Sequence, residues 1–344
     1  MYKHRFFDDY SEGAHPRVLE MLAASNLEQE PGYGGDTLSV RAVQLIREAT
    51  GNPDAAIHFV SGGTQANLIA LASMLRPHES VIAADTAHIH VHETGAVEAT
   101  GHKINLVAGH DGKLSSEQVR AVVAQHRDEH MVVPRVVFIS QATEAGTLYS
   151  KTELTALSRT CRELGLYLYL DGARLGPALV SQYCDLSLPE LSSLVDMFYL
   201  GGTKNGALLG EAIVINTPAL QDHFRHHLKQ RGALLAKGRI LGAQFVALLE
   251  DGLYFELARH ANAMAARLAE GLRRQGVAFL SEPVANQVFP VLPDAHIERL
   301  SADYGFHVWS RHDEAHSTIR LLTSWATPPG AVDQFLADFV QATA

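Results

Sequence analysis

The amino-acid sequence predicts an α/β fold: a mostly parallel sheet with helices on both faces, followed by a small α+β unit. Two observations predict it. Over the first 215 residues, short apolar strand-like runs alternate with helix-like segments, as in a parallel sheet buried on both faces. Beyond residue 218 the pattern changes to long helix-rich stretches and then to short strand-like runs. The length of 344 residues is more than one core usually serves, so two domains are expected. Asp251-Gly252 marks the boundary. It gives a large domain over residues 1–251, N-terminal segment included, and a small C-terminal α+β domain over residues 252–344.

The elements follow in order. Ala56–Val60 is short and apolar and runs into Ser61-Gly62-Gly63-Thr64, after which residues 65–75 have a helical pattern. Residues 80–84, 104–107 and 135–139 are strand-like. Residues 115–126 form a helix, with Leu114 before it and Glu117 near its start. Lys151–Leu164 is an amphipathic helix, and residues 166–170, 197–200 and Glu211–Ile215 are strands. Three helices are expected over residues 218–228, 233–250 and 254–275. Strands over residues 277–279, 287–291, 307–310 and 318–324 and a helix over residues 331–341 complete the small unit.

Composition narrows the function classes. An apolar content of 47% and a charged content of 19% suit a globular enzyme. The formal net charge of −10 argues against a nucleic-acid or anionic-membrane partner. Two cysteines, Cys161 and Cys184, imply no disulfide framework and fit a reducing cytoplasm. Residues 1–9 lack the apolar core of a signal peptide, and no uncharged stretch reaches membrane-spanning length. A cytoplasmic enzyme acting on a small molecule is expected.

Lys204 carries the chemistry. It lies in Gly201-Gly202-Thr203-Lys204-Asn205-Gly206, directly after an apolar run. A lysine at a strand end between glycines can approach a cofactor closely, lose its hydration and become nucleophilic. The apolar run over residues 166–170 ends in Asp171-Gly172-Ala173-Arg174. The separation of Asp171 and Lys204, 204 − 171 = 33 residues, is about one crossover unit, so the two strand ends can be neighbours. A carboxylate that keeps a pyridine nitrogen protonated, beside a lysine that forms a Schiff base, suits pyridoxal phosphate (PLP). Each residue also has a plainer reading: Asp171 as a helix N-cap, Lys204 as a solvated loop lysine.

Three further groups join them. Ser61-Gly62-Gly63-Thr64 follows a strand and opens a helix, where backbone N–H groups can converge on a phosphate. The rival is an ordinary turn capped by Thr64. The tract lacks both the Lys-Ser/Thr ending and the GxGxxG spacing of the nucleotide loops. His88 can stack on a pyridine ring or exchange protons. With His90 and His92 it alternates, which in a strand would place all three on one face and raise a metal site as rival. No metal is expected, because no cysteine or second histidine pair accompanies them and 19 histidines make chance clusters common. Arg320, in Thr318-Ile319-Arg320-Leu321-Leu322, offers a fork for a substrate carboxylate or a surface salt bridge.

Tyr33-Gly34-Gly35-Asp36, Ser61-Gly62-Gly63-Thr64-Gln65-Ala66-Asn67, Thr86-Ala87-His88, Asp171-Gly172-Ala173-Arg174, Gly202-Thr203-Lys204 and Ile319-Arg320-Leu321-Leu322-Thr323 occur in that order across nearly the whole chain. Together they resemble the threonine aldolase branch of the PLP-dependent aspartate-aminotransferase superfamily, fold type I. The resemblance implies PLP as cofactor. It makes Lys204 the Schiff-base lysine, Asp171 the partner of the pyridine nitrogen, Gly63 and Thr64 the phosphate contacts and His88 the stacking ring. It places Arg174 near the cofactor's phenolic oxygen or the substrate carboxylate, and Arg320 on that carboxylate. It implies a homo-oligomer, dimer or tetramer, in which Tyr33 and Lys237 reach a neighbour's active site; Arg239 rivals Lys237.

Two departures from the family pattern stand out. Asp8-Asp9 replaces a Ser-Asp pair, so Asp8 stands where a serine would contact the substrate carboxylate. Gln141-Ala142-Thr143-Glu144-Ala145 replaces a stretch in which the family often has histidine at the position of Glu144. The base on the substrate hydroxyl is then Glu144, His88 or a water. The expected reaction is retro-aldol cleavage of L-threonine, L-allo-threonine or phenylserine-type substrates to glycine and an aldehyde. The alternatives are β-elimination or racemisation on the same scaffold, a metal-dependent enzyme built on His88, His90 and His92, and a non-catalytic binding protein.

Overall fold

The computed structural model describes residues 2–343. The chain opens with β1 (His4–Arg5), α1 (Pro16–Ala24) and α2 (Thr37–Thr50). Then come β2 (Ala56–Val60), α3 (Gly63–Met74), β3 (Glu79–Ala84), α4 (His88–Val91), β4 (Lys103–Val107) and α5 (Ser116–Gln125). Next are β5 (Val133–Ser140), α6 (Lys151–Leu164), β6 (Tyr167–Asp171), α7 (Leu175–Leu179), α8 (Leu188–Leu194), β7 (Met197–Gly201) and β8 (Glu211–Ile215). Local chemistry sets several starts. Ser115 with Gln118, Ser150 with Glu153 and Ser187 with Glu190 each form a capping box, so α5, α6 and α8 begin where two N–H groups are satisfied reciprocally. α6 buries Leu154, Leu157, Ser158 and Cys161, one stripe at helical spacing.

The large sheet has the order β2-β8-β7-β6-β5-β3-β4. β8 runs antiparallel to both neighbours, and the other adjacent pairs are parallel. Its strands are buried on both faces: Phe198 and Leu200 join one core, Met197 and Tyr199 the other. Because β2, β3, β5, β6 and β7 point the same way, their C-terminal ends share one edge, where open α/β sheets bind ligands. The residues that follow those ends are Ser61, His88, Glu144, Asp171 and Lys204.

α9 (Phe224–Gln230) and α10 (Arg239–Leu249) pack into the cores of the large unit. The second unit holds α11 (Leu253–Arg274), which starts in the large core, then β9 (Ala278–Phe279), β10 (Gln287–Val288) and β11 (Pro290–Pro293). α12 (Asp294–Ser301), β12 (Tyr304–Gly305), β13 (His307–Arg311), β14 (His316–Leu322) and α13 (Pro329–Thr343) close it. Its sheet is antiparallel, with β14 paired to β10, β11 and β13. The two units are less separate than residues 1–251 and 252–344 would make them. β1 pairs with β12, and Phe6 enters the core of the second unit with Met264 and Phe335. α11 carries Leu253, Tyr254 and Leu257 into the large core and Ala265, Leu268 and Leu272 into the small one.

Four expected elements differ. Residues 218–228 are a 3-10 turn, Pro218–Leu220, and then α9, because the chain reverses at His223 with φ of 54°. Residues 233–238 are a turn and α10 starts only at Arg239; the Tyr33 N–H donates to the Ala236 carbonyl there at 3.1 Å. Residues 287–291 split into two strands around Phe289. The histidine tract is a helical turn rather than a strand, so His90 leaves the face that His88 and His92 share. Among the described residues no helix is long and apolar enough to cross a membrane.

Candidate active site

A cleft of about 730 Å³ opens at the shared strand edge. The large unit lines it with Ser61 to Thr64, His88, Glu144, Asp171, Arg174, Lys204 and Glu211. The second unit covers it with His307, Val308, Trp309 and Arg320. Eight of the ten site residues expected from the sequence thus meet in one cavity: Gly63, Thr64, His88, Glu144, Asp171, Arg174, Lys204 and Arg320. Tyr33 and Lys237 do not line it.

Asp171 and Lys204 are brought together by glycine. The Gly201 N–H donates to the Gly172 carbonyl at 3.1 Å. A Cβ on Gly172 would fall 1.8 Å from the Tyr199 carbonyl oxygen, and one on Gly201 would fall 2.5 Å from that of Ala173. No side chain fits at either position, which explains the glycines at the ends of β6 and β7. Asp171 is buried and accepts three hydrogen bonds: Tyr199 hydroxyl at 2.5 Å, Asn67 amide at 2.9 Å and Ala173 N–H at 3.0 Å. It is not an N-cap, since Arg174 occupies that position of α7. Burial pushes the Lys204 amine below the ordinary lysine range and the Arg174 charge adds to this; Asp9 and Asp171 oppose it. Such an amine is an available nucleophile.

The start of α3 faces the same cleft. Gly62 is its cap and no side chain caps it, so Thr64 lies inside the first turn instead of capping. The leading N–H groups and the positive end of the helix are left to an anion. A Cβ on Gly63 would fall 3.1 Å from the Tyr199 hydroxyl. Glu211 was not singled out in the sequence. It opens a strand buried at every position, and its carboxyl accepts the Gly202 N–H at 2.7 Å. Burial raises its pKa to about 7.

Arg174 and Arg320 lie over the opposite side. Arg174 makes a forked pair with Asp9, Nε to Oδ2 at 2.7 Å and Nη2 to Oδ1 at 3.0 Å. Burial alone would weaken both charges, but the pairing more than offsets it: Asp9 is held below the usual carboxylate range and Arg174 above its own. The Asp8 carboxylate accepts the Ser11 hydroxyl at 2.7 Å, and its neighbour Asp9 is the acid paired with Arg174. Arg320 stacks over the Trp309 ring at 4.8 Å, and its Nε is buried without a hydrogen-bond partner. Burial, followed by the Arg174 charge, lowers its pKa to about 10. A donor in that state suits an incoming carboxylate.

His88 stands at the start of α4. Its N–H donates to Glu144 Oε1 at 3.1 Å, and its Nδ1 lies 2.8 Å from Glu93 Oε1. His92, one turn on, lines the cleft, and the two rings are 5.4 Å apart. His90 is exposed and outside it. Among the described residues no three His, Cys, Asp or Glu side chains gather to hold a metal ion. Glu144 Oε1 also accepts the Ser140 hydroxyl at 2.8 Å, and burial, then the Asp171 charge, raise its pKa. Tyr33 is exposed at φ of 59°, with Lys229 over its ring at 4.7 Å. Lys237 is exposed, while Arg239 is committed to the Glu28 carbonyl at 2.9 Å.

Comparisons with known proteins agree with this geometry. The profile of the beta-eliminating lyase family matches residues 8–295. A low specificity L-threonine aldolase of Pseudomonas aeruginosa is 36% identical over 97% of this chain and 96% of its own length. A solved structure of a Leishmania major threonine aldolase superposes with a TM-score of 0.97 at 45% identity, covering 99% of this chain and 100% of that one. Thermus thermophilus aspartate aminotransferase, at 17% identity and a TM-score of 0.73 over 98% and 91% of the two chains, shares the fold, as fold type I requires. The chain belongs to the beta-eliminating lyase family, in its threonine aldolase branch.

Proposed function

We propose that the protein is a PLP-dependent aldolase that cleaves L-threonine, L-allo-threonine or related β-hydroxy-α-amino acids, phenylserine included, to glycine and an aldehyde. One observation carries the reading: a desolvated lysine amine and a triply hydrogen-bonded carboxylate on adjacent strand ends, beside an uncapped helix start. The residues fit the cofactor. Lys204 would hold it covalently, Asp171 would pair with its pyridine nitrogen, Gly63 and Thr64 at the start of α3 would take its phosphate, and His88 would stack on its ring. When bound, PLP supplies an acceptor for the electron pair released as the Cα–Cβ bond breaks.

The chain's own residues do the rest. Arg320 and Arg174 grip the substrate carboxylate and so choose which bond at Cα is aligned for cleavage. A base must take the β-hydroxyl proton as the bond breaks and the aldehyde forms; a proton returned to Cα gives glycine. Of the two side-chain candidates, Glu144 is the weaker. Its Oε1 already accepts two hydrogen bonds, and its raised pKa keeps it closer to the protonated form. His88 is the proton acceptor, and Glu144 fixes the turn that carries it.

The assembly is a homo-oligomer, dimer or tetramer, in which Tyr33 and Lys237 of one subunit complete a neighbour's cleft. The exposure of both residues outside their own cleft supports this. The protein works in the cytoplasm, a reading supported by two free cysteines, Cys161 buried and Cys184 half-buried. The test is to incubate the purified, PLP-loaded protein with L-threonine, L-allo-threonine and phenylserine and to assay glycine and aldehyde. Equimolar glycine and aldehyde are expected. Formation of a 2-oxo acid and ammonia, or of the other enantiomer alone, overturns the aldolase reading.

A further inference from the structure

Glu93 is a buried acid that the reaction above does not use. Its side chain is wholly shielded from solvent. Oε1 accepts the Asn67 amide at 2.7 Å and faces His88 Nδ1 at 2.8 Å, while Oε2 is buried with no hydrogen-bond partner. An orphaned buried oxygen is destabilising, so stability does not account for an acid here.

The hydrogen bonds constrain the protons. The amide group of Asn67 cannot be flipped: its oxygen accepts the Tyr169 hydroxyl at 3.0 Å, and its nitrogen donates to both Glu93 Oε1 and Asp171 Oδ2. Glu93 Oε1 accepts from Asn67, and toward an ionised Glu93 the donor at His88 is Nδ1–H. Burial pushes the Glu93 carboxyl upward, and the hydrogen bonds from His88 and Asn67 oppose this.

We infer that Glu93 is a positioning residue for the aldol cleavage: it holds His88 with Nδ1 protonated, so that the bare Nε2 faces the cleft as proton acceptor. The inference rests on the aldolase reading. Asn67 ties this device to the electron sink, because one amide group bridges the carboxylate behind His88 and the carboxylate assigned to the pyridine nitrogen. The titratable groups facing the pair are His92 on the same turn, Glu144 from the end of β5, Asp171 from the end of β6, and Lys204, Arg174 and Arg320 across the cleft.

The test uses PLP-loaded Glu93→Gln, Glu93→Leu, His88→Ala and the Glu93→Leu/His88→Ala pair. Glutamine keeps an acceptor for Nδ1; leucine keeps volume without one. Glu93→Leu is expected to lower kcat for L-threonine by about 10²-fold, the lower end of a general base's contribution, with KM changed by less than about threefold. Glu93→Gln retains most of the rate. On the His88→Ala background, Glu93→Leu costs nothing further, since it acts only through that ring. A second readout needs no turnover: the visible circular dichroism of bound PLP. It should be alike in the parent and Glu93→Gln, and altered alike in Glu93→Leu, His88→Ala and the pair. Equal losses of kcat on both backgrounds, or dichroism of Glu93→Leu like that of the parent, overturn the inference. A parent protein that makes no glycine sinks the aldolase reading instead, and the dichroism series then still decides whether Glu93 holds His88.

Discussion

Removing Asp9 should loosen the protein and the substrate grip together. At 2.7 Å and an effective dielectric of about 20, the gross attraction between the Asp9 and Arg174 charges is about 6 kcal/mol. Burying two ions consumes much of that, but breaking a buried pair from one side costs about 3–5 kcal/mol, because the partner is left uncompensated. Asp9 is fully shielded and Arg174 retains 12% exposure, so water can reach the orphaned guanidinium and the loss should lie near 3 kcal/mol. Asn286 loses less: its amide nitrogen also donates to the Thr323 carbonyl at 2.9 Å. Asp9→Ala should therefore lower the apparent melting temperature by about 4 °C. It should also raise KM for L-threonine about tenfold, as Arg174 loses its fixed orientation. Asp9→Asn, which keeps one acceptor, should cost about half as much. The pH dependence has a definite sign. The folded pKa of Asp9 lies below 3.8, so its contribution is fully present above that value and disappears as pH falls through the folded pKa. The stability gap between the parent protein and Asp9→Asn should be constant from about pH 5 to 8 and close below about pH 4. Calorimetry and steady-state kinetics on Asp9→Ala decide the matter; unchanged melting and unchanged KM would refute the pairing as the support of Arg174.

Lys204→Ala should abolish the visible absorbance of lysine-bound PLP and reduce glycine formation by orders of magnitude; a full-strength band in that variant would sink the assignment. Arg320→Gln should raise KM about 10–100-fold, the value of one charge-assisted hydrogen bond, and Arg320→Lys should not rescue it, because lysine lacks the fork and the stack on Trp309. Equal KM for the lysine variant and the parent would count against a bidentate grip. Glu211 titrates the other way from Asp9. With a folded pKa of about 7 against 4.5, the stability it leaves is fully present below pH 4.5 and lost as pH rises through 7. At pH 8 the cofactor-free Glu211→Gln variant should therefore gain up to about 3 kcal/mol on the parent relative to pH 5; urea midpoints that keep the same gap at both pH values would refute this.

The strand-end residues were legible in the sequence because each follows an apolar run and its position is fixed locally. Asp171 and Lys204 needed only the crossover rule to become neighbours. Asp9 and Glu93 were not legible. Asp9 meets Arg174 across 165 residues, and nothing near residue 9 announces that β1 docks on β12 and swings the segment over the cleft. The resemblance set Asp8 at a serine position and Asp9 at the acid beside it, but it gave no sign that Asp9 would fork onto Arg174. Glu93 required the tract from His88 to be helical; the alternating histidines suggested a strand, and in a strand residues 88 and 93 lie on opposite faces. Glu211 did carry a signal: a lone acid opening an otherwise apolar strand should be paired or protonated.

The acids of the cleft divide into two kinds, and the division suits the reaction. Asp9 lies against a guanidinium and is held in its charged form. Glu93, Glu144 and Glu211 are buried without a full cationic partner, and each is shifted upward. Glu144, Asp171 and Glu211 line one cavity with Lys204, Arg174 and Arg320, and full ionisation of these acids and of Glu93 behind them would oppose entry of a phosphate and a substrate carboxylate. The upward shift of the unpaired acids eases that conflict. It leaves the arginine charges available to the substrate and lets negative charge enter where α3 begins. It also leaves Glu144 less ionised than an ordinary carboxylate, which weakens it as a candidate for the hydroxyl proton. A group that is uncharged when it is empty suits the proton better, and of His88 and His92, which both line this wall, His88 is the imidazole held from behind by a carboxylate, Glu93.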